Sequence, residues 1–441
     1  MTSLWDDGRL DRWNVGVEIR KGRGRCLIAK KSFHIGETVF KNEPYAKLLN
    51  ANRNLCSQCF RSPAPRLLRC TGCKVLSYCS RECQRRSWKD GHKEECISLR
   101  TWQETIGDRL DEARLILRCL VRRDRDCENK ESKALRSTYD DVLAMHVPRA
   151  LKTGKHIIST ARKLKKSIPR FDGLSAEAIA KFLNRFQANN FAITDAILSQ
   201  IGSAVYPAGA LINHSCDPNT VIYYEPITSH QVFRCVRPIK EGDEITHAYV
   251  DVLNTTKERR SQLMKDYCFR CECSLCEDEN GPQRDAMLCS SPTDTSSTVE
   301  LMLAEKFARA AMVEVDLVKE QALLARCAAL RSKHLHPLSL VRLKTSNAQF
   351  AASLQAGNID DAARHCATAL NTYVRLYPNP YHPIPSTKRF ALGQLYLQLG
   401  RVDVAAKELE KAHRALLVTH GADSELVKSL NEILIAARRG I

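Results

Sequence analysis

The 441-residue chain has no long uninterrupted apolar run. Its longest candidate, Ala196 to Ile212, is broken by Ser199, Gln200, Ser203, Pro207 and Gly209. A membrane span needs about 20 predominantly apolar residues, so this stretch is expected to be buried core. An apolar leader is missing too: Met1 to Arg12 carries Asp6, Asp7, Arg9, Asp11 and Arg12, and no export is expected. Acidic residues are in deficit, 50 against 68 Lys and Arg, giving a formal net charge of +18. Such a balance favours acidic partners, nucleic acid included, but a solvated basic face is its commoner cause. The densest basic run contains Lys152, Lys155, Arg162, Lys163, Lys165, Lys166 and Arg170, interleaved with Leu151, Ile157, Ile158 and Leu164. That pattern suits an amphipathic surface helix.

What the chain has in quantity is apolar residues, 44%, and 19 cysteines. The apolar fraction implies a globular protein of two to four domains. Without export the cysteines would sit in a reducing compartment, where metal binding is a better account of them than disulfides. Val15, Val17 and Ile19 alternate with Gly16, Glu18 and Arg20, and strand character resumes after Gly24, with Gly36-Glu37 turning into Thr38-Val39-Phe40. Helical periodicity then covers Leu110 to Arg123 and Ala134 to Lys166. Strand character returns from Phe186 through Val221 to Tyr224, Val232 to Val236 and Glu244 to Tyr249, so the main sheet is split in sequence. A polar stretch, Asp278 to Ser297, reads as a linker to a helical C-terminal region. In that region Gly357, Ala362 and Ala369 recur as Gly400, Ala405 and Ala412, a displacement of 43 residues. Small residues at a fixed offset let paired helices pack closely, as in a long variant of the tetratricopeptide repeat, whose usual period is about 34 residues; a generic helical bundle is the alternative.

Cys56-x2-Cys59, Cys70-x2-Cys73, Cys79-x3-Cys83 and His92-x3-Cys96 place eight potential ligands within 41 residues. Zinc takes four tetrahedral N or S donors at about 2.0 to 2.3 Å, and each short pair supplies two donors from one turn. With so little apolar core, the segment is expected to fold around its metal. The spacing lacks the roughly twelve-residue finger between Cys and His pairs of a base-reading module, so any DNA contact would be sequence-blind. The spacing leaves open which pairs share an ion. Cys268-x2-Cys271-x-Cys273-x2-Cys276 suggests a third site, and read locally these four would form a self-contained tetrathiolate.

The eight ligands resemble a MYND zinc module, and that resemblance implies interleaving: Cys56, Cys59, Cys79 and Cys83 on one ion, Cys70, Cys73, His92 and Cys96 on the other. MYND modules bind proline-containing peptides, which makes Trp88 a recognition candidate, although packing in the core is the expected role. Lys21-Gly22-Arg23-Gly24, Asn213-His214-Ser215-Cys216-Asp217-Pro218-Asn219 and Glu244-Ile245-Thr246-His247-Ala248-Tyr249 together resemble a SET methyltransferase core. With the zinc module, the helical insert, the Cys-x-Cys-x2-Cys tail and the repeats, the chain resembles the SMYD family of protein-lysine methyltransferases.

The resemblance implies an α+β fold. A split, β-rich SET core would occupy residues 1–50 and 181–250, with the MYND module at 51–97 and a helical insert at 98–180. A zinc-binding post-SET tail would follow at 251–280, and an all-α tetratricopeptide-like domain at 281–441. It implies a pseudoknot in which the Asn213-His214 turn and the Glu244 to Tyr249 segment thread together, and a third zinc held by Cys216, Cys271, Cys273 and Cys276. Eleven thiolates on three zinc ions would bring the charge of +18 to about +13. S-adenosylmethionine would be held by Lys21, Gly22, Arg23, His146, Asn189, Asn213, His214 and Phe269, together with Tyr249 and Tyr267. Of these, Tyr249 would orient the reacting groups and Tyr267 would wall the lysine channel, while His247 carries no expected role.

The implied activity is methyl transfer from S-adenosylmethionine to lysines of histone or non-histone proteins in cytoplasm and nucleus, with no membrane role. Chaperone or transcription partners would use the helical repeats. The competing expectation from the same sequence is a scaffold that recruits such partners through the zinc module and repeats with little catalysis.

Overall fold

The computed structural model describes residues 5, 7–50, 54–61, 66–128, 137–148, 155–289, 295–377 and 379–439. The chain divides into two compact units. The first comprises Met1–His214, Pro218–His247 and Leu263–Arg270; the second comprises Ser215–Asp217, Ala248–Gln262 and Cys271–Ile441.

In the first unit the alternating segment forms the strand Val15–Arg20, paired antiparallel with Gly24–Ala29. The alternation does not bury every apolar residue: Val15 is enclosed, whereas Ile19 is 78% exposed. Thr38–Asn42 and Thr220–Tyr224 flank Gln231–Cys235 in an antiparallel sheet, and Ala46–Leu49 and Asn190–Thr194 flank Gln200–Val205 in another. Strands remote in sequence therefore pair directly, as a split sheet requires. The stretch expected to be buried supplies Ala204, Val205, Tyr206, Leu211 and Ile212 to the core, but Ile197 lies at an exposed turn. Of Glu244 to Tyr249 only Thr246–His247 is a strand, paired in parallel with Asn213–His214.

The helical insert is more broken than its periodicity suggests. Leu110–Glu128 is one helix, but the second expected helix resolves into Tyr139–Ala144 and Lys155–Ser167, with residues 145–148 non-helical. Pro148 disfavours helical geometry at the residue before it. The basic run behaves as a solvated face: Ile157, Ala161 and Leu164 are buried while Arg162, Lys163 and Lys166 are exposed. Lys152 lies outside the described residues. One large core joins the zinc segment to these helices, with Leu99, Trp102, Leu115, Ile116 and Phe182 beside the buried cysteines. No helix among the described residues is long and apolar enough to cross a membrane.

The second unit is dominated by helices. The expected linker instead contains the helix Gly281–Cys289 and the start of Thr295–Val313. Thereafter Leu317–His334, Leu340–Gln355, Ile359–Leu376, Pro383–Gln398, Val402–His420 and Glu425–Arg439 follow in succession, neighbours packing on one another. The 43-residue offset has a structural meaning. Gly357 and Gly400 end equivalent helices at φ of 69° and 70°, a left-handed conformation that suits glycine. Ala362, Ala369, Ala405 and Ala412 are all fully buried on the helices that follow.

Candidate active site and metal centres

Three groups of four ligand residues gather in the structure: Cys56, Cys59, Cys79 and Cys83; Cys70, Cys73, His92 and Cys96; and Cys216, Cys271, Cys273 and Cys276. Within each group the ligand atoms lie within 4.8 Å of one another. Donors about 2.3 Å from a tetrahedral zinc stand about 3.8 Å apart. Sulfur separations of 3.6 Å for Cys59 and Cys79, 3.5 Å for Cys79 and Cys83, 3.6 Å for Cys70 and Cys96 and 3.6 Å for Cys216 and Cys276 therefore fit an ion at each centre. The first two groups interleave, and the third includes Cys216 rather than Cys268, which stands at a positive φ of 60° outside the group.

The fold explains the first two gatherings. Ser80 accepts a hydrogen bond from the Cys83 amide and starts the helix Arg81–Ser87, which carries Cys83 back towards Cys79. At the second centre a β-carbon on Gly72 would stand 2.7 Å from the Cys96 sulfur, so the chain approaches its ligands more closely than a side chain permits. His92 turns Nε2 towards Cys70 and Cys73, at 3.4 and 3.7 Å, and Nδ1 towards Glu95 at 3.4 Å. Glu95 is fully buried and takes Arg114 Nε at 2.8 Å and Arg118 Nη2 at 2.9 Å. Burial alone would raise its carboxyl; the two arginines and His92 hold it well below the usual range instead. A carboxylate behind a ligating histidine fixes the ring and its tautomer. Trp88, expected in the core, is 43% exposed with its ring edge-on to His92 at 5.8 Å, because the turn Trp88–His92 directs it outward.

At the third centre the fully buried Arg259 points Nε at Cys216 Sγ, 3.3 Å away, and Nη2 at Cys276 Sγ, 3.5 Å away. Four thiolates on a divalent ion carry net negative charge, which a buried guanidinium offsets. Burial would lower the Arg259 pKa, yet the sulfurs raise it.

Of the remaining expected site residues of the first unit, Lys21, Gly22, Arg23 and Asn213 stand at the Val15–Arg20/Gly24–Ala29 hairpin. Lys21, Gly22 and Arg23 form its exposed turn; Gly22 has a φ of 77°, with open space where a β-carbon would stand. Backbone bonds from Ile245 N–H to Leu27 O, 2.8 Å, and from Ala29 N–H to Asp243 O, 3.0 Å, bring the downstream segment against this hairpin. Asn213 Nδ2 donates to Arg25 O at 3.0 Å and to Glu244 Oε1 at 2.9 Å. Its amide hydrogens thus serve as a clamp between hairpin and downstream segment. Glu244 Oε2 accepts from Arg23 Nε at 3.0 Å. Cys26, beside this pair, has its thiol pushed up to about 11 by burial and by Glu244, so it stays a neutral thiol.

His214 is buried against Phe269, ring centres 6.0 Å apart, and Phe269 in turn meets Tyr267 at 6.5 Å. Burial pushes the Tyr267 phenol up, with Asp266 adding to the effect. His247 is a buried strand residue between Phe191 and Phe233. Asn189 Nδ2 donates to the carbonyl of His146 at 2.7 Å, joining two expected residues through main chain, while the His146 side chain is exposed on a non-helical segment. Tyr249 is half-buried and falls in the second unit.

A profile described as MYND finger matches residues 56–96. Over 426 residues, 92% of this chain and 94% of the relative, the sequence is 29% identical to "Histone-lysine N-methyltransferase SMYD3" of Homo sapiens. It is 28% identical to the protein of that name from Mus musculus, again over 92% and 94% of the two chains. "N-lysine methyltransferase SMYD2-A" of Xenopus laevis is 26% identical over 94% of this chain and 96% of its own. The chain is similar to these SMYD proteins along nearly its whole length, and its zinc module matches the MYND finger. A solved structure described as the SET domain of LSMT bound to lysine and AdoHcy overlaps 98% of this chain and 91% of its own, at 12% identity and a TM-score of 0.35.

Several residues that matter to the geometry have no signal in spacing. Glu244 was visible only as part of its motif, and Arg259, on the helix Thr256–Tyr267, had no signal at all. Arg25 donates to Ala144 O at 3.0 Å and Arg185 to Leu143 O at 2.8 Å, anchoring the helix Tyr139–Ala144 near the hairpin. Arg9 completes that anchorage with two bonds to the buried Asp141, 2.6 and 3.0 Å long. Such partners, 42 to 132 residues apart in sequence, are set by three-dimensional proximity.

Proposed function

We propose that this chain is an S-adenosylmethionine-dependent methyltransferase acting on lysine side chains of histone or non-histone proteins in cytoplasm and nucleus. The observation that carries the proposal is the convergence of the Lys21–Gly24 turn, Asn213-His214 and Glu244 to His247 on one hairpin, with Phe269 against His214 and Tyr267 against Phe269. The open backbone at Gly22 and Gly24 suits close approach by a ligand, and exposed Lys21 suits its carboxylate. Arg23 contributes from its pairing with Glu244. Asn213 and His214 offer main-chain groups, since the Asn213 amide is committed to the hairpin, and Asn189 holds the His146 main chain at the adenosine end. Phe269 offers an aromatic face there.

When bound, S-adenosylmethionine supplies an electrophilic methyl group carried on a sulfonium. A lysine amine, with an ordinary pKa of about 10.4, has to be neutral to accept it. In this reading Tyr267, which is half-buried, is the residue assigned to wall a lysine channel apolar enough to penalise the ammonium form, and Tyr249 is the residue assigned to orient the amine. Three zinc ions would brace the structure and take no part in the transfer. Partners are proposed to meet the chain through proline-containing peptides at the MYND module and chaperone or transcription proteins at the helical repeats.

The test is incorporation of labelled methyl from the cofactor into histones and lysate proteins, with cofactor-induced thermal shift measured in parallel. Tyr249→Phe should lower incorporation by about 10²-fold, the scale of a misplaced reacting group, while keeping the thermal shift. Asn213→Ala should lose both. No thermal shift at millimolar cofactor, or labelling unaffected by both substitutions, would rule the reading out in favour of a scaffold.

A further inference from the structure

We propose that a pocket between the zinc module, the strand Ala46–Leu49 and the helix Leu110–Glu128 is a binding site for a single phosphate-type oxyanion. Its volume is about 140 Å³. That is room for four or five waters at ~30 Å³ each, enough for one tetrahedral oxyanion. Four cations line it, Lys47, Arg118, Arg122 and Arg125, against one carboxylate, Asp90. Asp90 is already committed: Oδ1 accepts from Arg125 Nη1 and Oδ2 from Gln58 Nε2, both at 2.9 Å.

The arginines have donors to spare. Arg118 is only 6% exposed, gives Nη2 to Glu95 and Nη1 to the Asp90 carbonyl, and leaves Nε without a hydrogen-bond acceptor. Arg122 gives Nη1 to the carbonyls of Pro44 and Tyr45, and its Nε has no hydrogen bond, standing 3.5 Å from Asp126. Among the described residues Arg125 bonds only through Nη1. A buried guanidinium N–H without an acceptor is unfavourable and calls for an explanation. Arg118, Arg122 and Arg125 also share one helical face, where like charges repel unless an anion lies between them. Lys47 adds positive charge at the pocket wall, but its Nζ is spent on the carbonyls of Ile227 and Thr228, both at 3.2 Å, and on Ser229 Oγ at 2.9 Å, so the arginines are the anion's donors. Planar guanidinium forks facing a small cavity match phosphate-type oxygens better than a carboxylate alone would require. Because the walls come from three segments, an anion seated here ties the zinc module to the insert helix. This site is separate from the proposed methyl-transfer site and does not depend on it.

The experiment titrates the zinc-loaded full chain with inorganic phosphate, sulfate, phenyl phosphate and acetate at fixed ionic strength set with chloride. It follows melting temperature and the 31P linewidth of phosphate. Phosphate should give a saturable rise in melting temperature and a broadened 31P line. Arg125→Gln, a half-exposed position whose replacement keeps the core intact, should weaken it about tenfold, the scale of one charge-assisted hydrogen bond. Arg122→Gln, checked for unchanged zinc content, should do the same. An equal response to phenyl phosphate would identify a site open to tethered phosphoryl groups; a response to inorganic phosphate alone would identify a free-ion site. No response beyond matched chloride, or one identical in wild type and Arg125→Gln, would overturn the proposal.

Discussion

Glu244 holds two partners at once, Asn213 at 2.9 Å and Arg23 at 3.0 Å, and so decides where the hairpin turn stands. Removing its carboxylate leaves the Asn213 amide without one acceptor and Arg23 without its counter-charge. Glu244→Ala should destabilise the protein by about 1–3 kcal/mol in denaturant unfolding and shrink the thermal shift produced by cofactor. An unchanged melting temperature and shift would mean that Arg23 is oriented by something else. At this scale the sequence showed which residue types carry chemistry, since Asn213-His214 and the cysteine pairs stand out by composition and spacing. It did not show who holds them. Arg259 reaches Cys216 and Cys276 because a helix happens to bring it there, and no local pattern encodes that approach.

Among the elements, the C-terminal helices were legible because burial demands small residues at the same points of each repeat, and the demand leaves a periodic trace. Ala362 and Ala405 are both fully buried for that reason. The insert was less legible: helical periodicity continues past residues 145–148, while Pro148 and tertiary anchors at Arg25 and Arg185 interrupt the helix. A side-chain pair also ties two repeat helices together. Glu408 accepts from Lys411 at 2.8 Å on its own helix, and from Arg389 on the preceding one. Burial would raise its carboxyl, but those two cations hold it below its ordinary value of 4.5. A carboxylate depressed in the folded state stabilises fully above the unfolded value and loses that contribution as pH falls through the folded one. Glu408→Gln should therefore cost ~1 kcal/mol at neutral pH and nothing once both states are protonated. Unfolding curves of wild type and variant should converge on acidification; parallel curves down to strongly acid pH would refute the assignment.

For the whole molecule, metal is the decisive component. Three ions per chain are expected from elemental analysis, matching three clusters of four ligand residues. Cys216→Ser should reduce the count to two, whereas Cys268→Ser should leave three, and the reverse result would make the local four-cysteine run the true site. A strong chelator should unfold the finger at residues 56–96, because its cysteines form part of its core and leave little apolar surface to replace the metal. The sequence by itself determined the ligand types, the zinc-module spacing, the repeat and the split β-rich core, because these follow from short-range geometry and periodic burial. Only the tertiary structure decided that Cys216 joins the tail cysteines, that the finger pairs interleave, that Trp88 faces outward and that Asn213 spends its amide on the hairpin. Those outcomes depend on contacts between segments far apart in the chain, whose distances are fixed by packing rather than by spacing.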